Sequence, residues 1–186
     1  MLLLPLSAEV IYRRNEDIIP RIREISKEIN QWIIEAEERT GLPVLAVCVL
    51  RGSVCFYTDL LLNIPSSVEI AFCRAQSYSI ANNSQEKGVK VNISDLQPAG
   101  RAVLLIDDIC DSGSTLLTLN DMVSDLGAAE IKNVVIILRK MEQALFNPDW
   151  TCFHYSGDEW FIGYGMDYRN GYRNLPDIYK IPNEDR

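Results

Sequence analysis

Apolar residues Ile18, Ile22, Ile25, Ile29, Trp32 and Ile33 recur at three- and four-residue spacing, with charged and polar residues between them. That period matches the turn of an α-helix, so the segment predicts an amphipathic helix capped at Asn15 and stopped by Gly41 and Pro43. The pattern then changes. VLAVCVL (44–50) is apolar at every position, as expected of a strand covered on both faces in a parallel sheet. After Arg51-Gly52-Ser53, VCFYTDLLLNI reads as a second helix and residues 68–76 as a second strand. Residues 77–90 (SYSIANNSQEKGVK) are polar and lack an apolar period, which predicts a mobile loop or hairpin tip. AVLLI (102–106) is another buried strand, residues 112–126 form a helix ended by Gly127, and NVVIIL (133–138) is a further strand. The tail alternates short aromatic strands with turns. Strands alternating with helices predict an α/β fold, a mostly parallel sheet with helices on both faces.

Composition narrows the function classes. The chain has 186 residues, is 47 % hydrophobic and shows no repeat, low-complexity tract or linker, so one compact domain is expected. Its net charge of −8 argues against a nucleic-acid partner, because binding there is driven largely by cationic side chains releasing counterions from phosphates. The opening MLLLPLSAEV is too short to span a membrane, is broken by Pro5 and lacks a basic residue before it. Five cysteines, an odd number without CxxC spacing, read as reduced and mostly buried thiols of a cytoplasmic protein. The lone His154 excludes any scheme with two histidines, and between Phe153 and Tyr155 it reads as structural.

The candidate chemistry sits in AVLLIDDICDSGSTLLTL (102–119). A buried strand runs into Asp107 and Asp108, and Asp111 follows. Ligands of parallel α/β sheets bind at the carboxyl ends of strands. Ser112, Gly113, Ser114 and Thr115 then open a helix, where free N–H groups, hydroxyls and the helix dipole make a phosphate cradle. The GxxxxGK[ST] of a nucleoside-triphosphate loop is absent from the sequence. Acids beside a phosphate site have two uses: accepting hydrogen bonds from ribose hydroxyls or holding Mg²⁺, a hard cation that prefers oxygen. As helix caps they would account for one or two of the three. Cys110 lies among these acids, which raise a thiol pKa and disfavour a nucleophilic role.

LLIDDICDSGSTL resembles the phosphoribosyl-diphosphate motif of type I phosphoribosyltransferases. The resemblance extends in family order through VLAVCVLRGSVCFYTDLL (44–61), Ser77-Tyr78 and DEWFIGYGMDYRNGYRNLPDI (158–178). It implies a Rossmann-like sheet formed by about 44–140, with a small hood to which about 1–40 and 145–180 contribute. The implied reaction transfers a phosphoribosyl group to N9 of hypoxanthine or guanine with Mg²⁺, in a homodimer or homotetramer. Asp111 matches a general base near N7 of the purine. Asp107 and Asp108 match acids facing the ribose and metal, with Asp107 in place of a commoner Glu. Ser112, Gly113, Ser114 and Thr115 match the 5′-phosphate loop. Arg51 and Gly52 match the diphosphate loop, whose leading peptide is cis in the family. Ser77 and Tyr78 match the flexible loop that closes over the site. Lys140 matches the donor to O6 of the base, with Arg139 beside it leaving the register open by one residue. Trp160 matches the aromatic stacked on the base, Phe161 the residue whose backbone reads its edge, Asp167 a second metal and purine-site position, and Arg173 a diphosphate contact. Competing readings are a xanthine- or pyrimidine-preferring transferase, an RNA-binding regulator on the same fold, and a phosphorylated receiver domain. The last is disfavoured because its acids follow different strands.

Overall fold

A computed structural model describes residues 10–80, 83–140 and 144–182, with side chains described outside 76–90. Its elements are β1 (Val10–Arg13), α1 (Asn15–Thr40), β2 (Leu45–Leu50), α2 (Val54–Leu62), β3 (Glu69–Ile80), β4 (Asn83–Asn92), β5 (Ala102–Cys110), α3 (Ser114–Asp125), β6 (Glu130–Arg139), β7 (Trp150–Tyr155), β8 (Trp160–Ile162) and β9 (Ile178–Ile181). Six strands form one sheet in the order β4-β3-β2-β5-β6-β7, and β1-β9-β8 form a second. Within the large sheet every pairing is parallel except β3 with β4.

The continuous apolar runs are explained by two cores, one on each face. Along β2, Ala46 and Cys48 join Ile18, Ile22, Ile25, Ile29 and Ile33 of α1 and Phe56 and Leu60 of α2. The alternate residues Leu45, Val47 and Val49 face Leu116, Leu119 and Val123 of α3. β5 divides the same way, Leu104 and Ile106 to one side and Val103 and Leu105 to the other. A strand buried on both sides loses its polar/apolar alternation, which is why it reads as uniformly apolar.

Several boundaries differ from expectation. The cap of α1 is Arg14, whose N–H donates to Asp17 at 3.4 Å, while Asn15 is the first helical residue and donates its N–H to Asp177 at 2.8 Å. Gly41 does end the helix, in the left-handed region at φ 69°. Residues 77–90 belong mostly to the β3–β4 hairpin, paired from Arg74↔Asn92 outward. The strand expected at 102–106 continues through both acids to Cys110. β1 was not foreseen. β1, β8 and β9 form a separate layer, while α1 and β7 pack with the large sheet. Tyr12 of β1 packs its ring against Phe161 and Tyr155, with centroids 5.0 and 5.1 Å apart.

Candidate active site

The carboxyl ends of β2, β3, β5 and β6 open on one edge of the sheet, and the hood closes over it. Three regions meet there. The first is the loop between β5 and α3. Asp111, Ser112, Gly113, Ser114 and Thr115 line a cavity of about 160 Å³ together with Asp107. Gly113 caps α3 at φ 82°. Ser112 Oγ donates to Ser114 Oγ at 3.2 Å and accepts the Ser114 N–H at 3.3 Å, so both hydroxyls sit at the helix mouth. The residues 144–147 cover this loop: the Leu145 N–H donates to Ser112 O at 2.8 Å. A Cβ on Gly113 would lie 2.6 Å from Phe146 Cβ, 2.8 Å from its O and 2.9 Å from its N. Gly113→Ala therefore meets both a left-handed φ and backbone that cannot step aside. It is expected to destabilise the fold by about 1–3 kcal/mol in urea unfolding.

The second region is the acid doublet. Asp107 is only 6 % exposed and Asp108 is partly buried. Asp107 Oδ1 accepts the Asp108 N–H at 2.9 Å, and Asp108 Oδ1 accepts the Ile109 N–H at 2.9 Å. Burial pushes both carboxyls up, and for Asp107 the charge of Asp108 adds to the rise. Burial raises the Cys110 thiol to about 12, with Asp107 and Asp111 contributing, so the thiol is held protonated. A folded-state pKa above the unfolded one means that ionised Asp107 costs stability at neutral pH, and that the cost fades as pH falls toward the ordinary carboxylate value near ~3.9. Asp107→Asn keeps the shape and the acceptor while removing the charge. It is expected to raise the melting temperature of the ligand-free protein at neutral pH, by about 2–4 °C per kcal/mol gained. The gain should shrink steadily in scans toward pH 4.

The third region is the wall opposite. The Leu50–Arg51 peptide is cis, as the resemblance implies. Leu50, Arg51, Arg74, Ala75, Asp167, Asn170 and Arg173 line a cavity of about 250 Å³. Three arginines in one cavity suit a multiply charged anion. Arg74 was missed in the sequence. It follows the buried Cys73 in β3 and pairs in register with Leu50, so its signal was a strand running parallel to β2 beside the Arg51 loop. Asp167 is held by Arg173 at 2.5 Å and by the Asn170 N–H at 2.8 Å. It thus stands among the arginines of this cavity. Among the described residues no three His, Cys, Asp or Glu side chains gather into one metal cluster.

The base-reading residues divide. Trp160 donates its Nε1–H to Asp167 O at 2.7 Å. Phe161 is buried, its ring packed on Tyr155 with centroids 4.9 Å apart, so only its backbone is placed to face a ligand. Lys140 is exposed, and its backbone N–H donates to Tyr155 O at 2.7 Å. The cation facing the acids is Arg139. Its Nε–H donates to Asp111 Oδ1 at 2.6 Å, and its guanidinium lies 5.3 Å from the Phe161 centroid and 5.4 Å from that of Tyr155. The physical reason is strand alternation: Ile137 packs in the α1–α2 core and Leu138 against the α3 core, so Arg139 returns to the side of Ile137 and Phe161. Lys140, the residue expected to donate to the base, lies one position further along and is exposed. Ser77 and Tyr78 lie in β3 by their backbone, and their side chains fall outside the described residues.

Comparisons with known proteins agree with this geometry. The model of the phosphoribosyl transferase domain family matches residues 12–169. A hypoxanthine-guanine phosphoribosyltransferase of Streptococcus agalactiae is 33 % identical over 178 residues, covering 95 % of this chain and 94 % of its own. A hypoxanthine-guanine-xanthine phosphoribosyltransferase of Tritrichomonas foetus is 33 % identical, covering 91 % and 88 %. Among solved structures, a Trypanosoma cruzi hypoxanthine phosphoribosyltransferase in complex with the product IMP superposes with a TM-score of 0.79 at 29 % identity, covering 96 % and 97 %. With the family model matched over residues 12–169 and a relative 33 % identical over 178 residues, the chain belongs to the phosphoribosyltransferase family.

Proposed function

We propose that the protein transfers a 5-phosphoribosyl group from phosphoribosyl diphosphate to N9 of hypoxanthine or guanine, giving IMP or GMP and diphosphate in purine salvage. The observation that carries this is the position of Asp111. One carboxylate lines the Ser112–Thr115 cradle and also bonds Arg139, which lies on the aromatic wall of the hood. It therefore stands where a phosphoribosyl donor and a planar base would meet.

In the reaction the C1′–O bond to diphosphate breaks and its electron pair leaves with diphosphate. The N9 lone pair forms the new bond to C1′. The proton on N7 passes to Asp111, the general base. Ser112, Ser114 and Thr115, with the N–H groups at the start of α3, hold the 5′-phosphate. Arg51, Arg74 and Arg173 hold the departing diphosphate, and Asp108 and Asp107 accept from the ribose hydroxyls. Trp160 stacks on the base, and the Phe161 backbone meets its edge. The β3–β4 hairpin bearing Ser77 and Tyr78 excludes water, which would otherwise capture the cationic ribosyl centre.

The residues fit Mg²⁺. Two neighbouring carboxyls raised by burial would be relieved by a cation, and Mg²⁺ commonly uses one or two carboxylates plus substrate phosphates while keeping its waters. Asp107 and Asp108 would hold it, and when bound it neutralises the charge developing on diphosphate. Asp167 serves Arg173 in this reading.

We place the enzyme in the cytoplasm, supported by five free thiols, four of them buried. A homodimer or homotetramer is supported by Ile70 and Phe72, 59 % and 48 % exposed on one side of β3, with Phe72 against Tyr57 of α2. Sedimentation velocity tests this, and a monomer at micromolar concentration rejects it. Among the described residues no helix is long and apolar enough to cross a membrane.

The test of function is a steady-state assay with phosphoribosyl diphosphate, Mg²⁺ and hypoxanthine, guanine, xanthine, adenine or uracil in parallel. Turnover with hypoxanthine or guanine and none with adenine is expected. Donor binding without turnover on any base would sink the proposal and favour a regulatory protein that kept the cradle.

A further inference from the structure

The segment that follows β8 takes a course that few side chains permit. Gly163, Tyr164 and Gly165 stand in succession at φ 84°, 49° and 99°. A non-glycine residue keeps a left-handed φ only where its surroundings over-determine it. Tyr164, the one of the three with a side chain, is 4 % exposed, and its Oη donates to Asp59 Oδ2 at 2.5 Å. Burial and the Asp59 carboxylate push its phenol well above the ordinary range, so it stays a donor. Asp59 belongs to α2, the helix that opens directly after Arg51-Gly52-Ser53. Past the turn the segment is tied to itself. The Tyr164 N–H donates to Leu175 O at 2.8 Å, the Gly165 N–H to Arg173 O at 2.9 Å, and Arg173 Nη1 to Gly165 O at 2.7 Å. β8 is held differently, by its ladder to β9 from Trp160↔Ile181 to Ile162↔Tyr179. Arg173 lines the cavity that contains Arg51 and also a second cavity, of about 340 Å³, that contains Asp59 and Tyr164. The Tyr164–Asp59 bond thus lies behind the arginine wall.

Resting on the functional reading above, we propose that Asp59 and Tyr164 are positioning residues: their hydrogen bond braces the hood segment 163–175 against α2 and so fixes the span between Arg173 and Arg51 across the diphosphate cavity. Neither side chain lines that cavity itself. The brace acts through two rigid connections. Asp59 lies within the first two turns of α2, a short lever from the Arg51 loop. The backbone bond between Gly165 and Arg173 carries the position of Tyr164 to the guanidinium. Contact at Gly52 limits approach, because a Cβ on Gly165 would lie 2.2 Å from Gly52 O. The Tyr164–Asp59 bond limits separation. With both in place the arginines stand at one span, and an anion bridging them is held without a further ordering cost. When the bond is removed, the segment can lift from the Arg51 loop while β8 keeps its place beside β9. The loss then falls on the donor and not on the base.

The experiment compares Tyr164→Phe, Asp59→Ala, Asp59→Asn and the control Thr58→Ala with the wild type. It measures KM and kcat for phosphoribosyl diphosphate and for hypoxanthine, and binding of Mg²⁺–phosphoribosyl diphosphate by calorimetry. Tyr164→Phe and Asp59→Ala are expected to raise the donor KM and weaken donor binding about tenfold, the scale of one hydrogen bond to a charged group, with hypoxanthine KM within about twofold. Asp59→Asn keeps an acceptor for the tyrosine and is expected to lose about threefold or less. Thr58→Ala alters the neighbouring residue of α2, whose hydroxyl bonds Val54 O, and is expected to match the wild type. Should Tyr164→Phe fail to fold, the two Asp59 variants carry the same comparison, since Asp59 is partly exposed. Donor KM and affinity within about twofold of wild type in Asp59→Ala would overturn the brace. So would a loss shared equally by donor and base, which marks general loosening, or an Asp59→Asn variant as impaired as Asp59→Ala, which makes the charge and not the bond responsible. A wild type idle on every base rejects the functional reading alone, because calorimetry with the donor still decides the brace. A wild type that does not bind the donor overturns both.

Discussion

Asp111→Asn is expected to lower kcat about 10²- to 10⁴-fold, the range for removing a positioned general base, while phosphoribosyl diphosphate still binds. Asparagine keeps the size and one acceptor oxygen, so the cradle lined by residues 111–115 keeps its shape. It cannot take the N7 proton at neutral pH. Its partner Arg139 retains the carbonyls of Gly157 and Glu159, so the guanidinium stays anchored when the carboxylate is gone. The split between the two measurements is the point of the test. Calorimetry should return a donor affinity close to wild type, and steady-state kinetics should return a loss in kcat. Unchanged turnover would refute the general-base role. A parallel loss of donor binding would show instead that the carboxylate serves the cradle.

Gly52→Ala is expected to be nearly as severe by a different route. A Cβ at this position would overlap Asp108 Oδ2 and lie 2.6 Å from Asp108 Cγ. It is therefore the carboxyl carbon, and not only the free end of a chain, that must move. Either Asp108 is driven from its place beside the Ile109 N–H, or the Arg51 loop is pushed away from β5. The second route is obstructed too, because a Cβ on Gly165 would meet Gly52 O, which shows how closely the hood segment rests on this loop. Both routes separate the diphosphate arginines from the acids, and a displacement of about 1 Å in such a constellation costs on the order of 10²-fold. kcat/KM for phosphoribosyl diphosphate should fall by at least that factor, with base KM changed much less. An alanine variant with normal donor kinetics would mean that Asp108 does not need to lie where the structure places it.

These two residues also mark what a linear reading could reach. The acid motif and the cradle lie within nine residues of one another, Asp107 to Thr115, and local spacing carries their chemistry. The sheet was legible for the same reason, since two-sided burial writes a run such as VLAVCVL into the chain. Contacts that depend on distant partners were not. β1 is four residues long and partly exposed, and only its pairing with β9 makes it a strand. β5 was cut short because Asp107 and Asp108 look like the end of a buried segment, yet the backbone ladder to β6 continues to Cys110↔Leu138. Arg139 and Lys140 are adjacent cations of similar type. Which of them faces Asp111 follows from the side alternation of Ile137 and Leu138, a burial pattern that motif spacing does not carry. Arg74 carried no motif, and its place follows from β3 running parallel to β2.

The pairing of β1 with β9 also sets an order of assembly. Val10 lies opposite Lys180, so the first strand of the described chain finds its partner only at the far end. During synthesis, β2, β3, β5 and β6 can pair successively as they leave the ribosome, and the Ser112–Thr115 loop forms with them. β1 must wait until β9 has emerged, because β9 lies between β1 and β8 in the small sheet. The acid doublet and the Ser112–Thr115 loop therefore take shape before Trp160, Phe161 and Arg173 are in place. A nascent chain arrested after β7 would carry a formed cradle under an open roof.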